Sequence, residues 1–365
     1  MNFIRKSGIH YAWVVLVAAC VLSIISRADS ASFAVFIDPL AEKFGWMRGD
    51  ISLAYSLAFI CSMPAMLIFG WLGDRYGARA LMIGASLMIS VGTVLLGMIQ
   101  EVWHLYVLYG VFVGALGNAA FMVVGLAFGG ILLVFSSLIR TSPAEMGLSA
   151  YGAADAGTKA SAAAGAPVSL RSVLAGRPIW LLMGCHHLGC AGHAVILAHG
   201  VSMATHHGIP GLQAAGVLST IAGVSIVSRF TFSLLTERFG GRAVLTWAIF
   251  GQSLSILTLL FATEAWHFYA FAVIFGICYG GEMVGFPIIN RHMFGASAPL
   301  SSIFSFETIG ASSGMALGGW LGGVLFDHSG NYTSAILVAA GIGFLALPLA
   351  LWLPRHRREV APAAA

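Results

Sequence analysis

The 365-residue chain has a formal net charge of +4, yet only 9% of its residues are charged and 59% are hydrophobic. A soluble domain carries about 25% charged residues, so this composition excludes a soluble globular protein. Many apolar runs have the length of about 20 residues that a membrane-spanning helix needs. The positive charge therefore does not indicate a nucleic-acid partner, and the lipid bilayer is the expected surrounding.

The apolar runs predict the spanning helices in chain order. They lie at roughly 11–36, 51–73, 80–99, 105–139, 179–203, 212–235, 243–262, 267–289, 300–326 and 333–353. Nine of them have the length of one span, whereas 105–139 is too long for one straight span and short for two. Between the two groups, segment 141–177 is rich in Ala, Gly and Ser, which predicts a flexible linker.

Basic residues predict the orientation of the spans. With a cytoplasmic N-terminus and one crossing per run, 14 of the 18 basic residues fall in cytoplasmic segments and only two in external loops. Both termini are therefore expected in the cytoplasm of a cell with the protein in its plasma (inner) membrane. The predicted domains are a first lobe at 1–140, the linker at 141–177, a second lobe at 178–354 and a cytoplasmic tail at 355–365.

One charged pattern occurs twice, 163 positions apart, each time between two apolar runs. An acid, an arginine, an aromatic, a glycine and a second arginine keep their order in both copies. The residues are Gly70, Gly73, Asp74, Arg75, Gly77 and Arg79 in the first copy, and Glu237, Arg238, Gly240 and Arg242 in the second. Such repetition is typical of a duplicated transporter.

Two interpretations of this pattern stay open. The arginines can reach the acids or the last carbonyls of a helix, and such clusters could lock one lobe against the other until the carrier switches. Alternatively, the arginines only anchor the spans on the cytoplasmic side.

The two halves measured from this pattern are unequal. About 65 residues separate Asp74 from the end of the run at 139, but about 116 separate Glu237 from the end of the last span. The first lobe therefore lacks roughly 50 residues, the size of one helical hairpin. We expect about four spans in the first lobe and six in the second.

The segment Gly70–Arg79 resembles the cytoplasmic signature of the major facilitator superfamily. Three further stretches resemble its oxalate/formate antiporter and monocarboxylate porter branch: Phe44–Trp46 with Ile51–Ala54, Ser142–Leu148, and Phe326–Asp327 with Gly330–Tyr332. The resemblance implies an all-α integral membrane protein, a two-lobe helical bundle of about 10–11 transmembrane helices. It also implies that 105–139 joins parts of a fourth and a sixth helix, with the fifth missing.

Ionisable residues inside spans are candidates for function, because burying them in lipid is costly. Arg229 lies eight residues before Glu237, where the resemblance implies an arginine that binds a substrate carboxylate; the alternative is an arginine that reaches the cytoplasmic interface. Arg27 is a second candidate anion site, although it could equally pair with Asp29 or point to the external rim. The resemblance also implies that His199 lines the pore.

Two acids are candidates for proton coupling. Glu282 lies among three glycines and Pro287, which weaken a helix, and interrupted helices are where carriers place binding sites. Glu307, early in the next span, is the second candidate; for Glu282 the alternative is a structural hydrogen bond. His186, Cys190 and His193 share one helix face, but with no fourth ligand in view we predict no metal site.

These observations favour a secondary active transporter of small organic anions, most of all monocarboxylates, that works by alternating access with proton coupling or anion exchange. No nucleotide-binding loop or hydrolase constellation occurs, so neither an enzyme nor a cofactor is expected. The alternative is a sensor or a defective relic of a carrier, because the first lobe lacks a hairpin. The expected partners are a small organic anion and a proton or counter-anion.

Overall fold

The computed structural model describes residues 33–76, 94–95, 97–112, 169–295 and 298–354, and these residues contain helices and no strand. The chain divides into two compact units, Met1–Gly165 and Ala166–Ala365. The boundary lies inside the linker that the sequence predicts. Each unit is described by itself.

The first unit contains three described helical stretches: α1 at residues 33–44, α2 at Arg48–Tyr76 and α3 at Val102–Phe112. The ring of Phe33 lies 5.5 Å from that of Tyr55 on α2 and 4.7 Å from that of Tyr109 on α3. These aromatic side chains are buried and hold the three stretches together. Most of the run at 105–139 lies outside the described residues, so whether it is one helix or two stays a prediction.

The helix α1 continues well beyond residue 36, where the first apolar run ends. Phe33, Ile37 and Leu40 are all buried, so helical spacing of apolar side chains persists although polar residues interrupt the run. Asp38 accepts a hydrogen bond of 2.7 Å from Arg48 at the start of α2, which ties the turn between the helices. The predicted end at 36 was therefore too early.

The second unit begins with a short helix and continues with six long ones. They are α4 (Leu170–Ala175), α5 (Arg177–His206), α6 (Gly211–Phe239), α7 (Gly241–Thr258), α8 (Ala265–Phe294), α9 (Leu300–Ser329) and α10 (Thr333–Trp352). A 3₁₀ turn at Leu259–Phe261 extends α7. Among the described residues, the six long helices are long and apolar enough to cross a membrane. They coincide with the last six predicted runs, which confirms those spans.

Helix α4 lies within the predicted linker. Ser169 caps its N-terminus by accepting a hydrogen bond from the backbone N–H of Ser172. Val173 is buried in a small cluster with Ile179 and Ile303, so the end of the linker packs against the second lobe.

Helix α5 is the centre of the second lobe and packs most extensively against α9 and α10. The side of α9 that faces α5 consists of glycines at every fourth position, namely Gly310, Gly314, Gly318 and Gly322. A Cβ at Gly314 or Gly318 would collide with the carbonyl oxygen of His187 or Ala191 on α5. The two backbones therefore lie in direct contact, which is how helices associate where lipid gives no hydrophobic driving force.

This packing predicts that Gly318→Ala destabilises the protein. The added methyl group would push α9 away from the Ala191 carbonyl, and overpacking of this kind costs about 1–3 kcal/mol. The measurement is the thermal unfolding midpoint of the purified protein in detergent. The matched control is Gly223→Ala in α6, where nothing lies within 4 Å of the added Cβ. Equal midpoints for the two variants would contradict close packing at Gly318.

Candidate functional site

The second lobe buries two histidine–carboxylate pairs along α5. His193 Nδ1 lies 3.1 Å from Glu282 Oε2 on α8, and His186 Nδ1 contacts Glu307 Oε1 on α9. Both carboxylates are 0% exposed. The two histidines are seven residues apart, so they lie on one face of α5, separated by about 10 Å along its axis. The proton-coupling candidates predicted from the sequence thus share one helix as their partner.

Close packing of the helices positions the first pair. Gly189 faces Glu282, and a Cβ there would collide with the Oε1 atom. The ring of Tyr279, one turn before Glu282, meets the His193 ring edge-on with the centroids 5.0 Å apart. The carboxylate and the imidazole are therefore held by α5 and α8 together.

Aromatic stacking positions the second pair. The His186 ring stacks on Phe286 of α8, with centroids 3.6 Å apart and planes inclined by 10°. Glu307 approaches from α9, and its Oε2 atom has no hydrogen-bond partner among the described residues. His186 of α5 thus contacts both α8, through Phe286, and α9, through Glu307.

Helix α8 remains α-helical through Gly280 to Pro287. Glycines in this stretch serve close packing: a Cβ at Gly280 would collide with Ser228 of α6, and one at Gly281 with the ring of Phe232. The sequence signal for a weakened helix at Glu282 therefore reflects contact with α6, and no interruption of the helix occurs at this site.

The two anion-binding candidates that the structure describes lie in different surroundings. Arg229 is half-buried about two-thirds of the way along α6, and the neighbouring Val227 and Phe230 are exposed on the surface of the lobe. His199 is fully buried, and its Nε2 lies 2.8 Å from the carbonyl oxygen of Gly319 on α9. Arg27 lies outside the described residues.

The two copies of the repeated charged pattern are described to different extents. Gly70, Gly73, Asp74 and Arg75 belong to the last turns of α2, whereas Gly77, Arg79 and the side chains of this copy lie outside the described part.

In the second copy, Gly240 has φ +85° and forms the turn between α6 and α7. Arg238 is exposed and its guanidinium lies 5.4 Å from the ring centre of Phe239, while the side chain of Glu237 lies outside the described part. Arg242 Nη1 donates a 3.0 Å hydrogen bond to the carbonyl of Leu353, which ends α10. This contact satisfies a carbonyl at a helix end within one lobe.

Sequence reasoning did not predict the pairing of the two histidines with the two acids. The sequence places His186 and His193 with Cys190 on one face of α5, and it indicates no partner for either acid. One signal was available: an isolated acid inside a span needs a partner, and two histidines with helical spacing are suitable partners.

Comparisons with known proteins give the family context of this site. The sequence model of the Major Facilitator Superfamily matches residues 19–170 and 179–365. The oxalate:formate antiporter of Oxalobacter formigenes is 22% identical over 407 aligned positions, covering 95% of this chain and 93% of that protein. The probable sulfoacetate transporter SauU of Cupriavidus necator is 31% identical over 104 residues, which is 28% of this chain and 24% of that protein.

Solved structures agree on the fold. The nucleoside transporter NupG superimposes with a TM-score of 0.65 at 12% identity, covering 92% of this chain and 98% of that one. A mutant of NupG gives a TM-score of 0.67 at 11% identity, covering 93% and 99%. At these identities the likeness shows the fold alone.

The geometry of the first pair predicts strong coupling between its members. His193→Leu would leave the Glu282 carboxylate buried without its partner, and breaking a buried pair in this way costs about 3–5 kcal/mol. The double variant His193→Leu with Glu282→Leu removes both polar groups and should recover most of that loss. The measurement is the unfolding free energy of all variants in one detergent. A double variant as unstable as the sum of the two singles would contradict the coupling.

Proposed function

The chain belongs to the Major Facilitator Superfamily, and we propose that it transports small organic anions, with monocarboxylates as the main substrates. The observation that carries the proposal is Arg229, a cation within the apolar span of α6. A guanidinium holds a carboxylate by two parallel hydrogen bonds, and an intramembrane charge is retained where it has a function.

The relatives support anions as the substrate class. The names of the two sequence relatives specify oxalate, formate and sulfoacetate, all of which are small anions. The preference for monocarboxylates rests on charge. Residues 300–326 contain no Lys or Arg, whereas the resemblance implies a lysine in the matching helix of the oxalate carriers of the branch. Without a cation on α9, the proposed site suits a substrate with one carboxylate better than a substrate with two.

The driving force in this proposal is a proton or a counter-anion. A proton that enters with a monocarboxylate makes the transported charge zero, which lowers the cost of crossing a medium of low dielectric constant. Glu282 with His193 is the first proposed proton site and Glu307 with His186 the second, because imidazole and carboxylate are both groups that can bind and release a proton. Anion exchange, as in the oxalate:formate antiporter, would leave these pairs as structural contacts.

The remaining site residues keep the roles that the sequence predicts for them. Arg27 and His199 are proposed to contact the substrate. The repeated pattern around Asp74 and Glu237 is proposed to lock and release the lobes during alternating access, with both termini in the cytoplasm.

A second candidate function is that of a membrane protein that does not transport. The unequal halves favour it, because the missing hairpin would have lined part of the cavity of the first lobe. The 407 positions aligned with the antiporter also exceed the 365 residues of this chain, so that alignment opens gaps in it. The experiments below separate the two functions.

The role of Arg229 predicts that Arg229→Ala lowers the uptake of labelled formate or lactate into proteoliposomes by about 10- to 100-fold. A charge-assisted hydrogen-bond pair to the substrate is worth about 1.5–3 kcal/mol, which corresponds to that range. The matched control is Arg291→Ala, which removes an exposed arginine near the end of α8. Uptake by Arg229→Ala equal to that of the control would contradict carboxylate binding at Arg229.

If Glu282 carries the coupled proton, its substitution should affect proton-driven accumulation and substrate exchange differently. Glu282→Gln should abolish accumulation driven by a pH gradient and leave exchange of labelled for unlabelled substrate intact, because exchange needs no net proton movement. The matched control is Glu264→Gln, an exposed acid before the first turn of the same helix. Undiminished gradient-driven accumulation in Glu282→Gln would exclude this carboxylate as the coupling site.

A further inference from the structure

We propose that Cys190, His193 and Glu282 bind a divalent transition-metal ion of the Zn²⁺ type within the second lobe. One ligand atom of each side chain lies within 4.8 Å of the others, and all three residues are buried. Cys190 and His193 are three positions apart on α5 and so lie on neighbouring turns of one face. Glu282 completes the group from α8.

The donor set suits this class of ion. Thiolate, imidazole and carboxylate are the three side-chain ligands of zinc, with bonds of about 2.0–2.3 Å. Such bonds place ligand atoms of a tetrahedral site roughly 3.3–3.8 Å apart. His193 Nδ1 and Glu282 Oε2, at 3.1 Å, are already close to that separation. The remaining separations, at most 4.8 Å, would shorten as the ligand side chains close around the ion.

The charges of the site also favour a divalent cation. On coordination the Cys190 thiol loses its proton to water, and His193 binds as neutral imidazole through a ring nitrogen. No atom is oxidised or reduced in this step. One thiolate and one carboxylate balance the two positive charges, so the loaded site is neutral in a part of the protein where an unbalanced charge is costly.

The hydrogen bond between His193 and Glu282 uses only one of the two carboxylate oxygen atoms. Glu282 Oε1 has no hydrogen-bond partner among the described residues, although Glu282 is completely buried. The buried side chain of Gln252 on α7 lies next to this carboxylate, although its Nε2 does not reach the geometry of a hydrogen bond. A metal ion would occupy the carboxylate and leave Gln252 to orient it from outside the coordination sphere, as outer partners do at metal sites.

The neighbouring Cys185 and His186 on α5 make contacts elsewhere. Cys185 Sγ lies 3.8 Å from the carbonyl oxygen of Ala346 on α10, and His186 contacts Glu307. The proposed site therefore differs from the group of His186, Cys190 and His193, for which the sequence predicts no metal site. It gains its third ligand only through the packing of α5 against α8.

The test is optical titration of the purified full-length protein, kept reduced in detergent, with Co²⁺ as the probe. A thiolate bound to Co²⁺ gives a charge-transfer band in the near ultraviolet, and tetrahedral Co²⁺ gives intense bands in the visible. We expect both bands to saturate at one Co²⁺ per chain and to disappear when Zn²⁺ is added. Absence of the thiolate band would overturn the proposal, since binding at exposed histidines cannot produce it.

Variants assign the site. Cys190→Ser should abolish the thiolate band, while the matched control Cys185→Ser, a buried cysteine on the same helix, should keep it. Glu282→Gln should weaken Co²⁺ binding by at least 10-fold while the protein retains its unfolding midpoint within a few degrees. A band that survives in Cys190→Ser, or one that is lost in Cys185→Ser, would overturn the assignment. The titration requires no transport, so its failure is distinguishable from failure of the proposed function.

Discussion

The direct contact between α5 and its neighbours is the constraint on which the rest of the second lobe depends. Lipid tails are as apolar as the side chains of the helices, so the hydrophobic effect does not drive the helices together. They are held by close packing and by the few polar groups they share. Glycines on α9 let its backbone touch the backbone of α5, and Gly189 on α5 leaves space for a carboxylate from α8. The same closeness brings two histidines of α5 against two acids. The close packing of the helices therefore also determines which polar side chains meet.

Neutrality of charge connects the proposed functions of this lobe. A buried carboxylate needs a positive partner, and a histidine can supply one when it is protonated. In the proposed transport cycle a proton would fill that need at Glu282, and in the proposed metal site a divalent ion would do so. The two cations would occupy the same oxygen atoms, so the two states of Glu282 exclude each other. In the proposed function Arg229 contributes a permanent positive charge that binds the carboxylate of the substrate.

Much of the second lobe could be predicted from the sequence, because long apolar runs between charged turns specify spans almost directly. The turn at Gly240 and the helices on either side of it are examples. The end of α1 could not be predicted from the hydropathy of the first apolar run. The helix extends past the polar residues that end this run, because Ile37 and Leu40 are buried against the rest of the unit. The partners of Glu282 and Glu307 could not be predicted either. They depend on which helices are neighbours, and a single sequence does not contain that information.

We propose that this chain works as an anion carrier, although its sequence predicts a shortened first lobe. The most direct measurement is counterflow by the wild-type protein in liposomes loaded with a high concentration of unlabelled formate. If the protein exchanges carboxylates, external labelled formate accumulates transiently above equilibrium. Lactate or pyruvate inside also supports the overshoot, and protein-free liposomes show none. Absence of an overshoot with every carboxylate tested, in protein shown to be inserted and folded, would contradict anion transport and favour a protein that does not transport.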